Sequence, residues 1–190
     1  MNTDPAVMAF FQTRRSRPAK LLGLPVPDDH TLMAMLTAAS RVPDHGKLEP
    51  WRFIVLQQAG CARIAQMIAE YGKAQGIDDD KIAKASATFA QAHMVVAVVA
   101  SPKPSDKVPQ IEQTLTAGAV CLGLVNAALA SGFGANWLTG WVAHDPAFIT
   151  PALGLQPDEW IAGFIHLGTA SSAPPERPRP DVAALTQFID

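Results

Sequence analysis

Cysteine is nearly absent from this sequence. Cys61 and Cys121 are the only two among 190 residues, and neither belongs to a Cys-x-x-Cys pair. A disulfide framework and a thiolate metal set are both excluded, and a reduced, cytoplasmic setting is the expectation. Charge is also scarce. Charged residues make up 17% of the chain and leave a formal net charge of −2, against roughly 25% in an ordinary soluble domain. Such a balance provides no bulk field for nucleic acid or for an anionic membrane surface. Long apolar runs are missing too. The longest clean run, Met94 to Ala100, is far short of the roughly 20 residues that cross a bilayer. Met1 to Phe11 contains Asp4 and Pro5 and lacks the apolar stretch of a signal peptide. The five histidines stand at 30, 45, 93, 144 and 166 with no close spacing, and there is no HExxH, Walker loop or GxSxG. No metal site is expected. His166, alone in an apolar strand, reads as a core residue.

What the chain has instead is apolar bulk, 48% of its residues, enough to bury a core in a single domain spanning 1–190. So much apolar residue with so little charge points to surface hidden in a partner, and self-association is the simplest form of that. Asp4 and Pro5 open a first helix running to Arg15. Asp28 or Asp29 caps a second to about Ser40, with Leu32, Met33, Leu36 and Ala39 at helical spacing. Trp51 to Gln57 reads as a strand, followed by helices from about Ala59 to Gln75 and from Asp79 to Gln91. His93 to Ala100 is a strand covered on both faces. A long helix rich in Ala and Gly spans Ile111 to Ala130. Gly132 to Leu138 is a strand, Asp145 to Leu153 a short helix, and Glu159 to Leu167 the last strand. From about 170 to 190 the prolines predict an extended arm. Four or so strands among five or six helices indicate an α+β sandwich.

Four segments carry candidate chemistry. Arg14-Arg15-Ser16-Arg17 suits a phosphate, because guanidinium forks bind oxyanions bidentately; it also suits cations that complement a helix C-terminus. The loop from Arg41 to Trp51 packs Arg41, His45 and Lys47 ahead of a strand, where ligand contacts concentrate, although Trp51 reads equally well as a core anchor. Gly132-Phe-Gly-Ala-Asn-Trp-Leu-Thr-Gly140 is not a dinucleotide fingerprint, since Trp137 stands at the third glycine position and the segment enters a strand. Its glycines allow close approach to a flat ligand, or simply mark a strand entry. Arg177-Pro-Arg179-Pro180 is a second phosphate clamp or a solubilising tail.

Taken in order along the chain, these segments resemble the nitroreductase family, in particular its short bacterial NAD(P)H-dependent members. The resemblance rests on RRS after the first helix, R-x-P-D-H-x-K-x-x-P-W before the first strand, DKVPQIEQTLTAGAV leading into the long helix, GFGANWLTG, IAGFIHLGT and the basic arm. It implies a nitroreductase-like α/β sandwich: a central, mostly antiparallel sheet flanked by helices, in two subunits interlocked through arms as a homodimer. It implies FMN in a cleft at the subunit interface. Arg14, Arg15 and Ser16 would hold its phosphate and ribityl chain, and Arg177 and Arg179 would reach that phosphate from the arm. Arg41, His45 and Lys47 match flavin contacts, and Trp137, Leu138, Thr139 and Gly140 match the segment along the ring. Ala127, Ala128, Leu129, Ala130, Ser131 and Gly132 match a contact with NADH or NADPH. Two positions depart from the family's pattern: Pro18 stands where many relatives have a basic residue, and Glu49 where many have glutamine.

The implied enzyme takes hydride from NAD(P)H and passes electrons to a nitroaromatic, quinone-like or other organic acceptor by a ping-pong mechanism. The cofactor carries the chemistry, which fits a sequence without a nucleophile or acid–base pair. The rival readings are specialised flavin chemistry on the same scaffold, such as dehalogenation or flavin breakdown, and a non-catalytic flavin-binding protein.

Overall fold

The computed structural model describes residues 3–189; Met1, Asn2 and Asp190, at the ends of the expected domain, lie outside the described residues. At the centre is a five-stranded sheet of β1 (Leu22–Gly23), β2 (Trp51–Gln57), β3 (Met94–Ala100), β4 (Gly134–Leu138) and β5 (Trp160–Ala170). Every pairing is antiparallel. β5 is central: its residues 164–167 pair with β3 on one edge and with β4 on the other. Its last two residues pair with β1, Leu22 opposite Ala170 and Gly23 opposite Thr169. β2 pairs with the outer edge of β3 along its whole length.

The helices among the described residues are α1 (Pro5–Thr13), α2 (Asp29–Ala39), α3 (Gln58–Ala74), α4 (Asp79–Ala90), α5 (Gln110–Ala130), α6 (Trp141–His144) and α7 (Pro146–Leu153). Aspartates start four of them. Asp4, Asp28, Asp78 and Asp145 accept hydrogen bonds from first-turn amides that have no partner within the helix. Proline follows the cap at Pro5 and Pro146, where its missing N–H costs nothing.

β3 shows why its sequence is uninterrupted apolar: all seven of its residues are buried. Val95, Ala97 and Val99 point to one side, into a core with Ile64 and Ile68 of α3, Phe89 of α4 and Phe148 of α7. Met94, Val96 and Val98 point to the other, into a core with Leu32, Met35 and Leu36 of α2 and Val120 and Leu124 of α5. The result is a sheet between two helical layers, the α+β sandwich the sequence predicts. α5 is long and apolar enough to cross a membrane by length and composition, but one side of it is in this second core. Both cysteines are buried and unbonded to each other, and burial pushes the thiols up to about 11 at Cys61 and about 12 at Cys121.

The structure corrects several boundaries. α1 ends at Thr13, because Arg14 turns extended with ψ 140°. In α2 the buried face uses Met35, 2% exposed, while Met33 is 60% exposed; the stripe 32, 35, 36, 39 is a full helical face and 33 falls outside it. β1 lies in what reads as a loop, since two residues give no periodicity. β5 runs on to Ala170 because β4 and β1 pair with its end. α6, four residues long, has no sequence signature. At the far end of the sheet, Arg52 of β2 grips Glu159, just before β5, through Nε at 2.7 Å and Nη2 at 2.6 Å. The guanidinium holds the Glu159 carboxyl down at about 2.

Two predictions follow from the packing. Gly123 of α5 lies against α2 so closely that an added Cβ would stand 2.9 Å from the Ala39 carbonyl oxygen. Backbone cannot move aside as a side chain can, so Gly123→Ala should destabilise by about 1–3 kcal/mol. Gly60 of α3 has only ordinary contact, 3.5 Å to Leu56, and Gly60→Ala should be neutral or stabilising by up to about 1 kcal/mol. Urea denaturation of both variants checks the contrast, and equal effects would contradict it.

His166 is 2% exposed, against Phe89, with its Nε2 unpartnered. Burial lowers its pKa from 6.5 to about 4. The unfolded chain therefore takes up this proton first as the pH falls. The stability His166 contributes is complete above pH 6.5 and is lost towards pH 4, up to roughly 3 kcal/mol. Denaturation across that range should show the loss, and an imidazole NMR titration should show a midpoint well below 6. A midpoint at the ordinary value would refute the assignment.

Candidate functional site

Both ends of the chain build the site. Past the end of α1, Arg14 to Arg17 run in extended conformation towards β4, where the Arg17 amide donates to the Ala135 carbonyl at 2.8 Å. Beyond β5, the Ser171 amide donates to the Leu21 carbonyl at 3.1 Å, continuing the antiparallel register of β1 and β5. Across the gap between the two segments Arg15 donates to Glu176 at 2.9 Å. Arg14, Arg15, Ser16, Arg177 and Arg179 line one cavity of about 630 Å³, with Asn136 and Pro18 in its wall. The arginine–serine motif and the basic arm, 160 residues apart in the sequence, are thus one feature.

Electrostatically this cavity is unbalanced. Four guanidiniums are offset by one carboxylate, Glu176, which accepts from Arg15 at 2.9 Å and pairs with Arg179 at 3.0 Å. The Arg177 amide and Arg15 hold that carboxyl below its usual range. Burial, then Arg179 and Arg15, lower the pKa of Arg14. Its Nε is buried with no hydrogen-bond partner, while its Nη2 donates to Ser16 Oγ at 3.3 Å. A buried donor left unpaired among like charges is costly, and a bound oxyanion relieves both defects.

β4 leads away from this cavity. Asn136 is in its wall; Leu138 lines an intermediate cavity with Lys20 and Lys84. Leu138, Thr139 and Gly140 then line an apolar cavity of about 330 Å³ beneath α4. Four residues of extended chain span about 13 Å. At the turn Gly140 has φ 80°, which only glycine adopts cheaply, and it leaves that wall open. Trp137 points away from this path. Its ring lies on the α5 side, over Gly163 and against Gly118, with Nε1 donating to the Ala162 carbonyl at 3.2 Å. Gly134, read as room for a flat ligand, instead admits Leu22 and Ala170: a Cβ there would collide with both.

Arg41, His45 and Lys47 are not brought to the arginine cavity. Their loop folds over the start of α5, where His45 Nδ1 lies 2.7 Å from Glu112 Oε2 and the Thr116 hydroxyl donates to the Pro43 carbonyl at 3.0 Å. Lys47 and Glu49 have positive φ, 53° and 49°. The Asp44 carboxylate holds this strained turn by accepting from the Leu48 and Glu49 amides. Arg17 lies at the opposite end of α5, sharing a cavity of about 330 Å³ with Leu129 and Gly132. From Glu112 to Leu129 the helix rises roughly 26 Å, more than a single small cofactor bridges within one chain. In the expected nicotinamide segment, Ala130, Ser131 and Gly132 are exposed and Ala127 is half-buried. Ala128 is sealed in the second core with no exposed surface, so it presents nothing to a nucleotide.

Sequence reading missed Asn136, Glu176 and the α4 residues Lys81, Lys84 and Thr88. The spacing of the last three marks a helix face, but only the fold sets that face against β4.

The profile of the Nitroreductase family matches residues 12–169. The chain is 35% identical over 153 residues to the Escherichia coli (strain K12) protein named "Putative NAD(P)H nitroreductase YdjA", covering 80% of this chain and 83% of that one. It is 33% identical over 164 residues to a like-named Haemophilus influenzae protein, covering 85% and 87%. Among solved structures, a nitroreductase-like family protein from Bacillus cereus superposes with a TM-score of 0.82 at 20% identity, over 100% of this chain and 99% of that one. A Desulfovibrio desulfuricans structure described as a "putative nitroreductase in complex with fmn" does so at 0.73 and 21%, over 100% and 99%. At these identities the two structures speak for the fold.

The charge imbalance makes a prediction independent of any cofactor. Inorganic phosphate should raise the melting temperature more than sodium chloride of equal ionic strength, because it binds only the folded cavity. Arg14→Ala should remove most of that difference. Equal melting shifts in the two salts would show that the arginine cavity holds no anion.

Proposed function

This chain belongs to the nitroreductase family and is an oxidoreductase, and from that premise we propose that it binds FMN, draws hydride from NADH or NADPH and reduces a nitroaromatic, quinone-like or other small organic acceptor by a ping-pong mechanism. The observation that carries the proposal is the placement of four guanidiniums at one end of the β4 wall and an apolar cavity at the other. That is the shape and charge of a flat ring system on a tail ending in one phosphate. The orphaned Arg14 Nε and the cation excess fit that phosphate monoester, and nothing there calls for a dinucleotide.

In this reading FMN supplies the two-electron chemistry when bound, and no side chain is assigned as catalytic. Arg14, Ser16, Arg177 and Arg179 bind the phosphate. Arg15 fixes the arm through Glu176. Leu138 to Gly140 present backbone along the ring, with the Thr139 N–H as a donor to it. NAD(P)H and the acceptor use the same cleft in turn, the nicotinamide nucleotide reaching it past Ala130 to Gly132.

The functional unit is a homodimer, and residues 1–190 are one FMN-binding domain with an arm from about 170. Exposed Ile111, Leu115 and Leu122 share a face of α5. Val7, Met8 and Phe11 are exposed on α1, and Val182, Leu185, Phe188 and Ile189 on the arm. Apolar surface on this scale suits a subunit interface. A second copy is also what can carry Arg41, His45 and Lys47 to a flavin that their own chain keeps them from. The two buried thiols suit the reducing cytoplasm.

The test combines affinity with single-turnover reduction. Arg14→Ala should weaken FMN binding by about 1.5–3 kcal/mol, roughly ten- to a hundredfold, while flavin that does bind is reduced by NADH or NADPH at a nearly normal rate. Thr139→Ala should be mild, and Thr139→Pro, which deletes the donor, should slow reduction severely. Protein that takes up no added FMN would overturn the reading. A flavin-loaded monomer by light scattering would overturn the dimer alone.

A further inference from the structure

α4 faces the far end of the β4 wall. Ile82 and Phe89 lie on its buried side, Ile82 close against Gly72 of α3. Lys81, Lys84, Ala85 and Thr88 recur at i, i+3, i+4 and i+7 and therefore share a different face. That face, with Leu138 to Val142, lines the 330 Å³ cavity. The cavity is mostly apolar, with Phe89 and Trp141 among the residues that line it. Neither lysine has a carboxylate within 4 Å among the described residues. The Trp141 indole N–H is buried without a partner. Lys84 also lines the intermediate cavity with Lys20. No acidic side chain lines the cavity beneath α4 or the intermediate one, although acidic residues outnumber basic ones in the whole chain, 17 to 15.

Apolar walls with two aromatic residues among them suit a flat, mostly apolar molecule. Two uncompensated ammonium groups at the same cavity call for a negatively charged oxygen group on it. We propose that this cavity is the acceptor's subsite, and that Lys81 and Lys84 make the enzyme select aromatic acceptors bearing a carboxylate or similar anionic group. The inference rests on the functional reading above, which lays the flavin ring along Leu138 to Gly140. Both lysines are exposed, so each contact is individually weak. The expected preference is therefore about tenfold, and sensitive to salt.

The phosphates of NADH and NADPH are anionic too, so the experiment separates reductant from acceptor. FMN-loaded protein is assayed with 4-nitrobenzoate and the neutral 4-nitrobenzyl alcohol, at low and high sodium chloride. Reduction by NADH and NADPH is followed separately under nitrogen. At low salt, kcat/KM for the benzoate should exceed that for the alcohol by about tenfold. The ratio should collapse towards one in high salt and in the double variant Lys81→Gln/Lys84→Gln, and Lys81→Arg/Lys84→Arg should retain it. Turnover of both acceptors without a preference, or a preference that survives the glutamine variant, overturns the subsite alone. A glutamine variant that keeps the ratio but weakens binding of NADH or NADPH overturns it by assigning the lysines to the reductant. Protein that holds FMN but reduces neither acceptor overturns the subsite together with the functional reading.

Discussion

β5 is paired on both edges and packed on both faces, and that double constraint decides where the rest of the chain can go. β3 and β4 occupy its two edges over residues 164–167, and β1 takes its C-terminal end. The pairing of Leu22 with Ala170 then fixes the direction of the segments on either side of it. Arg14 and Arg15, ahead of β1, and Arg177 and Arg179, beyond β5, come together at one cavity. Like charges would not gather there unaided. They are held by ladder hydrogen bonds and by apolar burial in the two cores, a far larger total than the repulsion among four partly solvated guanidiniums.

Scaffold and site differ in how their polar groups are satisfied. Most of the interior is closed. The Arg52–Glu159 pair is bidentate, Gln113 is bonded to the backbone of Lys103 on both its amide atoms, and Asp44 satisfies the amides of its own strained turn. His166 Nε2 is left unpaired in the core, and Arg14 Nε is left unpaired beside the arginine cavity. Unpaired groups of the kind that cost stability in a core are, at a cleft, what gives a ligand its affinity.

One chain supplies the arginine cavity, the strand wall and the apolar cavity, yet keeps the Arg41–Lys47 loop at the other end of α5. Many of its exposed apolar side chains lie on α1, on one face of α5 and on the arm, outside the two cores. The low charge content of the sequence and this distribution of surface have one physical meaning. Chain that is not buried in its own fold is available to be buried in a second copy.

Much of this was legible in the sequence because local rules govern it. Aspartate caps, prolines at first helical positions, and an apolar run whose length suits a strand are short-range signals, and they located α1 to α5, β2 and β3 to within a few residues. The arginine–serine motif and the basic arm were legible as two candidate anion-binding segments, and the fold brings them to one cavity. What the sequence could not decide was adjacency. Nothing local says that Leu22 pairs with Ala170, that Trp137 turns to the α5 side while Leu138 faces α4, or that Lys81 and Lys84 look onto the end of β4. Those outcomes follow from strand register and from which helix face the two cores consume. Register and packing are set by contacts between residues far apart in the chain, so only the tertiary structure decided them.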